Sequence, residues 1–480
     1  MNRNHTYQFF ALIAILSVVC VLPVTAQQPM GPSGQPNGQA GPGGPGGPGG
    51  PAGGGMGMGQ QPKLDPSTKR TPVTAGRATG YIYEPITPGA KSHIGIFVMH
   101  SGVDYTNFSA CYEMSKRGYT VLCMKNAGGN LNSIVLDAKS SVAYLRKYPG
   151  IDKVILWGHS GGATLMSAYE MIAEGGVASC QGPEKLSKCP NTLAGMPAAD
   201  GVILADSNWG NAEMALFSLD PAVIHEDDGV NLNPALDLFN PANGYNAKGN
   251  SDYSAEFIRK FQTAVGKREM GLIKLAQERI AAIEAGKGRF TDDEPIVIAG
   301  AGSLGPNNKL FSEDVKLLSH TVKAWPLIHA DGSVTTEIVN SVRTPEGRPM
   351  TSNLSVGAIN TTVRSFLVDN AIRVSDDFSY DDSSVHGVDW TSTYSSTPGN
   401  VTGIHVPSLF MGMTGHYEYL AAETIYNNST AKDKSLAFVE GASHMYTPCK
   451  QCEKTPGEFG DTVKTLYDYA DKWIGEKGRF

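Results

Sequence analysis

The chain predicts an α/β fold, with a mostly parallel sheet, helices on both faces, and a large cap inserted between two strands. Three observations predict it. Short apolar runs alternate with amphipathic stretches of helical length, the pattern left by parallel strands joined through crossover helices. The third run, Val154-Ile155-Leu156-Trp157, passes straight into Gly158-His159-Ser160-Gly161-Gly162 and then into Ala163-Thr164-Leu165-Met166-Ser167-Ala168, which reads as a helix. Residues from about 208 to 400 separate the fourth run from the fifth. That gap is too long for a loop and should carry structure of its own.

From the N-terminus, residues 1–26 read as an export signal. Arg3 precedes the almost wholly apolar Phe9 to Leu22, and Val24-Thr25-Ala26 supplies the small residues of a cleavage site. About fourteen apolar residues are too few to span a bilayer comfortably. No stable membrane span is therefore expected after signal removal, and the mature protein should be secreted or periplasmic. Residues 27–64 form a Gly/Pro-rich stretch that includes Gly41-Pro42-Gly43-Gly44-Pro45-Gly46-Gly47-Pro48. Its period of three is collagen-like but far too short for a triple helix, so a flexible linker is expected.

The catalytic part is expected over 65–207 and 401–480, with the cap at 208–400. Ile94 to His100 is the first run, and Phe108 to Arg117 reads as a helix. Tyr119 to Met124 is the second, followed by a helix from Ser133 to Lys147. Val202 to Ala205 is the fourth; Ser408 to Met413 and Leu436 to Val439 come next, and Thr462 to Trp473 closes as an amphipathic helix. Inside the cap, Tyr253 to Ala285 is helical, with Phe257, Phe261, Leu272 and Ile273 among interleaved charges. Lys323 to Val342 reads as a hairpin turning at Asp331-Gly332. An insertion at this point should stand above the carboxyl ends of the strands and shape a substrate pocket.

A hydrophobic content of 41% suits a sizeable core, and a formal net charge of −7 gives no basic footprint for nucleic acid. Without Cys20 of the signal, six cysteines remain, an even number that favours disulfides in an exported protein. Cys180 and Cys189 bracket a polar loop and should pair. Cys449 and Cys452 should form a local disulfide, since no second Cys-x-x-Cys completes a zinc site. Cys123 lies in an apolar run, where simple burial accounts for it. No metal site and no cofactor motif stands out.

Strand, Gly-x-Ser-x-Gly, helix is the setting of a nucleophile elbow, a turn so tight that the residues two before and two after the serine must be small. Ser160 is the candidate nucleophile. His444, in Gly441-Ala442-Ser443-His444 just past the Leu436–Val439 run, is the candidate base. A carboxylate must orient the imidazole. Glu418, in Gly415-His416-Tyr417-Glu418, is preferred, and Asp206, ending the Val202–Ala205 run, is the alternative. The oxyanion needs preorganised N–H donors; Gly161 is one candidate, and Ser101 or Gly102 the other.

These motifs, with His100-Ser101-Gly102, resemble the α/β-hydrolase-fold serine hydrolases of esterase and lipase type. The resemblance covers about residues 75–208 and 401–476. It implies an eight-stranded sheet, a Ser-acid-His triad and an acyl-enzyme intermediate, with a small-molecule ester as substrate. Two departures stand out: Glu replaces the commoner Asp after the penultimate strand, and the oxyanion loop reads His-Ser-Gly rather than His-Gly-Gly. The same triad could also serve an amidase, peptidase, lactonase or acyltransferase. A non-catalytic binding module on this fold is the reading an intact Ser, acid and His set disfavours.

Overall fold

The computed structural model describes residues 64–226, 231–302, 308–345 and 357–480. The expected export signal and nearly all of the expected linker lie outside the described residues. Fourteen strands follow one another along the described chain. The first half holds β1 (Thr68–Ala75), β2 (Ala78–Pro85), β3 (Ile94–Met99), β4 (Thr120–Lys125), β5 (Lys153–Ser160), β6 (Gly201–Ser207) and β7 (Pro295–Ala299). The second holds β8 (His320–Ile328), β9 (Val334–Asn340), β10 (Ala358–Thr362), β11 (Val374–Tyr380), β12 (Val385–Val388), β13 (Ser408–Met413) and β14 (Lys434–Val439). Ten of them form one sheet in the order β1-β2-β4-β3-β5-β6-β13-β14-β8-β9. Strands β4, β3, β5, β6, β13, β14 and β8 run parallel, and antiparallel strands finish both edges.

The central strands read as unbroken apolar runs because both faces of the sheet are covered. Val154 and Leu156 of β5 enter one core with Phe97, Leu122, Val202 and Phe410. Ile155 and Trp157 enter the other, with Ile96, Val121, Ile203 and Met411. Helices α1 (Ser109–Lys116) and Thr462–Ile474 cover the second core, and α2 (Leu131–Leu145) and α3 (Gly161–Gly175) cover the first. The expected layering is what the structure has.

Within 208–400, α4 (Asn211–Ser218) is followed by the long α5 (Ala255–Glu284), capped by Ser254 Oγ accepting from Phe257 N–H at 3.1 Å. Helix α5 buries Phe257, Phe261, Val265, Leu272 and Ile273, and Gln262 Nε2 donates to Tyr380 O of β11 at 2.7 Å. The expected hairpin forms as β8 and β9, with Gly332 at φ +82 in its turn. It does not stand above the sheet, however. Leu327 and Ile328 of β8 pair in parallel with Phe438 and Val439 of β14, so this hairpin extends the sheet beyond the eight strands the resemblance implies. The free edge of β14 offers unpaired backbone groups, and β8 satisfies them. The rest of the segment joins the core through aromatic edges: Phe217 of α4 meets Phe311 and Tyr380, and Phe311 meets Tyr417.

The structure pairs Cys180 with Cys189 and Cys449 with Cys452, as expected, and also pairs Cys111 of α1 with Cys123 of β4. The last two sulfurs face the same core because α1 packs on the face to which Cys123 points. Among the described residues no helix is long and apolar enough to cross a membrane. Peptide mapping without reduction should find all three bonds. With 12 residues of sequence separation, the Cys111–Cys123 bond should contribute about 3 kcal/mol through the unfolded state. A Cys111→Ala, Cys123→Ala double variant should lose that much or more in denaturant unfolding; free thiols at these two positions in the native protein would contradict the pairing.

Candidate active site

Strand β5 ends in a turn that only small neighbours allow. A Cβ on Gly162 would stand 2.8 Å from the carbonyl oxygen of Met99, and one on Gly158 would stand 2.6 Å from Cα of Ala163. With α3 pressed this close to β3, Ser160 is held at φ 54, ψ −134, in the left-handed region a serine rarely adopts. Ser160 lies beside Ser207 in the sheet register, so the serine turn and the end of β6 share one corner.

At that corner Asp206 also has a positive φ, 48°, and is buried. Its Oδ2 accepts from Nδ1 of His444 at 2.7 Å, and its Oδ1 accepts the N–H of Met413 at 3.2 Å. Glu418 Oε2 lies 3.7 Å from the same Nδ1. Both carboxylates therefore converge on His444, but the hydrogen bond belongs to Asp206, not to the residue preferred from sequence. This contact joins the end of β6 to the loop after β14, a meeting that strand position alone does not reveal.

Two further histidines complete the corner. His416 Nδ1 lies 2.9 Å from Asp206 Oδ2, although the contact is too bent for a hydrogen bond, and 3.8 Å from Glu418 Oε2. Its ring packs at 4.2 Å from that of His444. His159, inside the elbow motif, is hydrogen-bonded through Nδ1 to the Tyr105 hydroxyl at 2.6 Å and through Nε2 to the carbonyl of His444 at 2.7 Å. Burial and the neighbouring His444 hold the His159 ring well below its ordinary pKa, so it stays neutral. A neutral ring has one N–H, and the His444 carbonyl can only accept. His159 therefore donates from Nε2 and accepts from Tyr105, which pins the His444 loop to the elbow.

The charges sort by surroundings. Burial works against ionised Asp206, but the two imidazoles facing it outweigh burial and hold its carboxyl well below the usual range. Burial raises Glu418, with His444 and His416 pulling the other way. Burial also opposes the His444 imidazolium, yet the Asp206 hydrogen bond and the Glu418 charge leave its pKa raised above 6.5. Lys309, buried and acted on by Glu418, is lowered by burial to about 7.

On the other side of Ser160, the His100 ring accepts the N–H groups of Gly102 at 2.8 Å and Val103 at 3.1 Å through Nδ1. Burial and the charge of His444 lower His100 to about 3, so its acceptor nitrogen stays bare. The N–H of Gly102 is thereby engaged, which leaves Ser101 as the freer candidate donor beside Gly161. Gly161 is closely surrounded: a Cβ there would meet Ser101 Oγ at 2.5 Å and Asn211 Oδ1 at 3.0 Å. Sequence reasoning missed the parts of Asn211, His159 and Tyr105. His416 stood in a quoted motif without a role.

The strand order, the crossover helices and the serine turn closing β5 are those of the α/β-hydrolase fold. No family model matches the sequence, and no curated protein does either. Among solved structures the chain is similar to a bacterial heroin esterase at 9% identity, covering 86% of each chain, with a TM-score of 0.37. It is also similar to esterase B from Lactobacillus rhamnosis at 10% identity, covering 85% of this chain and 88% of that one, with a TM-score of 0.35. A dienelactone hydrolase from Anabaena variabilis gives 8% identity, 85% and 97% coverage, and a TM-score of 0.34.

The tightness of the turn is testable. Gly162→Ala should destabilise the protein by about 1–3 kcal/mol, because the opposing atom is a backbone oxygen that cannot swing aside. Gly89→Ala, with nothing within 4 Å of the added carbon, should change stability little. Equal urea midpoints for the two variants would contradict the close β3–α3 approach.

Proposed function

We propose that this protein is an exported serine hydrolase of carboxylic esters, with Ser160 as nucleophile, His444 as base and Asp206 as the orienting acid. The observation that carries the reading is the 2.7 Å bond from His444 Nδ1 to buried Asp206, next to a serine held at φ 54. With Nδ1 engaged, Nε2 is left to take the proton of Ser160 Oγ as that oxygen attacks the ester carbonyl. Asp206 then faces the imidazolium. The N–H groups of Gly161 and Ser101 stabilise the oxyanion. His444 returns the proton to the leaving alkoxide, and water releases the acid by the same steps in reverse. Glu418 adds negative charge without holding the ring. The cap at 208–400, less the β8–β9 hairpin, selects the substrate, since Phe311 packs on Tyr417 beside His416. Three disulfides and the apolar segment before residue 26 support export.

Ser160→Ala should keep the fold and lose turnover of a p-nitrophenyl ester by about 10³-fold or more, and a fluorophosphonate should label Ser160 alone. Near-normal hydrolysis by Ser160→Ala would sink the proposal. Asp206→Asn should cost on the order of 10³-fold or more, and Glu418→Gln far less. The opposite order would return the acid role to Glu418.

The pH profile offers a separate check. The base works only when neutral, so kcat/KM should rise with pH through a midpoint above 6.5. Removing the Glu418 charge in Glu418→Gln should move that midpoint down. A midpoint that moves up or stays fixed would remove Glu418 from the electrostatics of the base.

A further inference from the structure

We propose that Asp206, His416, Glu418 and His444 form a zinc-type metal site whose occupation reversibly shuts down the serine chemistry. Its inhibitory consequence rests on the reading above; the binding itself does not. The four residues come from the end of β6, the loop after β13 and the loop after β14, and one donor atom from each lies within 4.8 Å of the other three. The Nδ1 atoms of His444 and His416 lie 2.7 and 2.9 Å from Asp206 Oδ2 and 3.7 and 3.8 Å from Glu418 Oε2. Tetrahedral zinc, with nitrogen and oxygen donors at about 2.0–2.2 Å, sets those donors roughly 3.4 Å apart. These four separations straddle this value and the other two donor pairs lie within 4.8 Å, so shifts of about an ångström or less per donor close the set on an ion.

Glu418 supplies an independent sign that the site is built to receive a cation. It is 3% exposed, and its Oε2 has no hydrogen-bond partner while facing two imidazole nitrogens. His416 Nδ1 likewise has no aligned partner. A buried carboxylate oxygen without a donor is costly. A serine triad needs one imidazole and one carboxylate; the second pair is surplus to it, and a divalent ion satisfies all four atoms together.

The donor set favours zinc over calcium or magnesium, because two of the four atoms are imidazole nitrogens. Supporting contacts are already present: Met413 N–H holds Asp206 Oδ1, and His159 holds the carbonyl of His444. Access is open on the imidazole side, where the His416 and His444 side chains are 13% and 27% exposed. Gly415, His416 and Gln451 line a narrow crevice there.

The consequence follows from the tautomer. A metal on Nδ1 of His444 takes the position of the proton now given to Asp206. The neutral ring then carries its one proton on Nε2 and has no lone pair left for the proton of Ser160. Removing the metal restores the Nδ1–H form.

The experiment uses the full chain, treated with chelator and titrated calorimetrically with zinc chloride. One ion per chain should bind saturably to wild type and to Ser160→Ala alike, with no binding of magnesium or calcium in the same range. A His416→Ala, Glu418→Gln double variant, with folding checked by circular dichroism, should bind at least tenfold more weakly; should it not fold, His416→Gln carries the comparison. Zinc should inhibit wild-type ester hydrolysis, and EDTA should restore it. The site is overturned by an absence of saturable binding, by undiminished affinity in the ligand variant, or by zinc that raises turnover. Zinc binding in a chain without esterase activity would overturn the serine reading instead and leave the site standing.

Discussion

The corner of the molecule is organised around an ionised carboxylate buried away from solvent. Asp206 is buried, and burial alone would drive its proton on. It stays charged because the His444 and His416 rings face one oxygen and a backbone N–H holds the other. Much of the local structure can be read as the means of keeping those partners in place. Gly415 lies against Ala442 and Cys449, so the two histidine loops touch, and the Cys449–Cys452 bridge closes the segment just past His444. His159 ties one of those loops to the serine turn.

Strain is concentrated at the same corner. Ser160 and Asp206, at the ends of adjacent strands, both sit at positive φ, a conformation that costs about 1–3 kcal/mol for each non-glycine residue. The strain is borne by the surrounding order. Strands β5 and β6 are buried on both faces, and their ladder continues into β3 and β13. A strand with one solvated face could relax its last residue toward ordinary geometry; these cannot without disturbing two cores.

What was legible in the sequence follows from the range of the interactions. The elbow is local, so its five residues announced both the turn and the serine. The central strands were legible because burial on two faces leaves plain apolar runs, and α5 because its apolar stripe repeats over 30 residues. The hairpin at Asp331-Gly332 was legible too, but not its partner, since β8 finds β14 across about a hundred residues of chain. The sequence favours Glu418 over Asp206 beside His444; the 2.7 Å contact to Asp206, whose backbone sits at φ 48°, depends on how distant strands and loops meet and leaves no local mark. Cys123 reads from the sequence as an ordinary buried residue, and its pairing with Cys111 emerges only once helix and strand share one face. The four-residue donor cluster left no metal signature because Asp206 is separated from His416 by the whole insertion.

That insertion does two different jobs. The β8–β9 pair continues the sheet past β14, and through it Glu440, next to the end of β14, meets His329 at 2.7 Å. The remainder builds an aromatic wall from Phe217, Phe311, Phe378 and Tyr380 that reaches Tyr417, whose ring lies 4.3 Å from His416. Aromatic edges packed this way resist small displacements, because rotating one ring opens a void beside the next. His416 is therefore held from two sides, by the wall behind Tyr417 and by the His444 ring in front of it. A change in the wall should reach Asp206 through His416 before it reaches Ser160, which ties the electrostatics around His444 to the segment between β6 and β13.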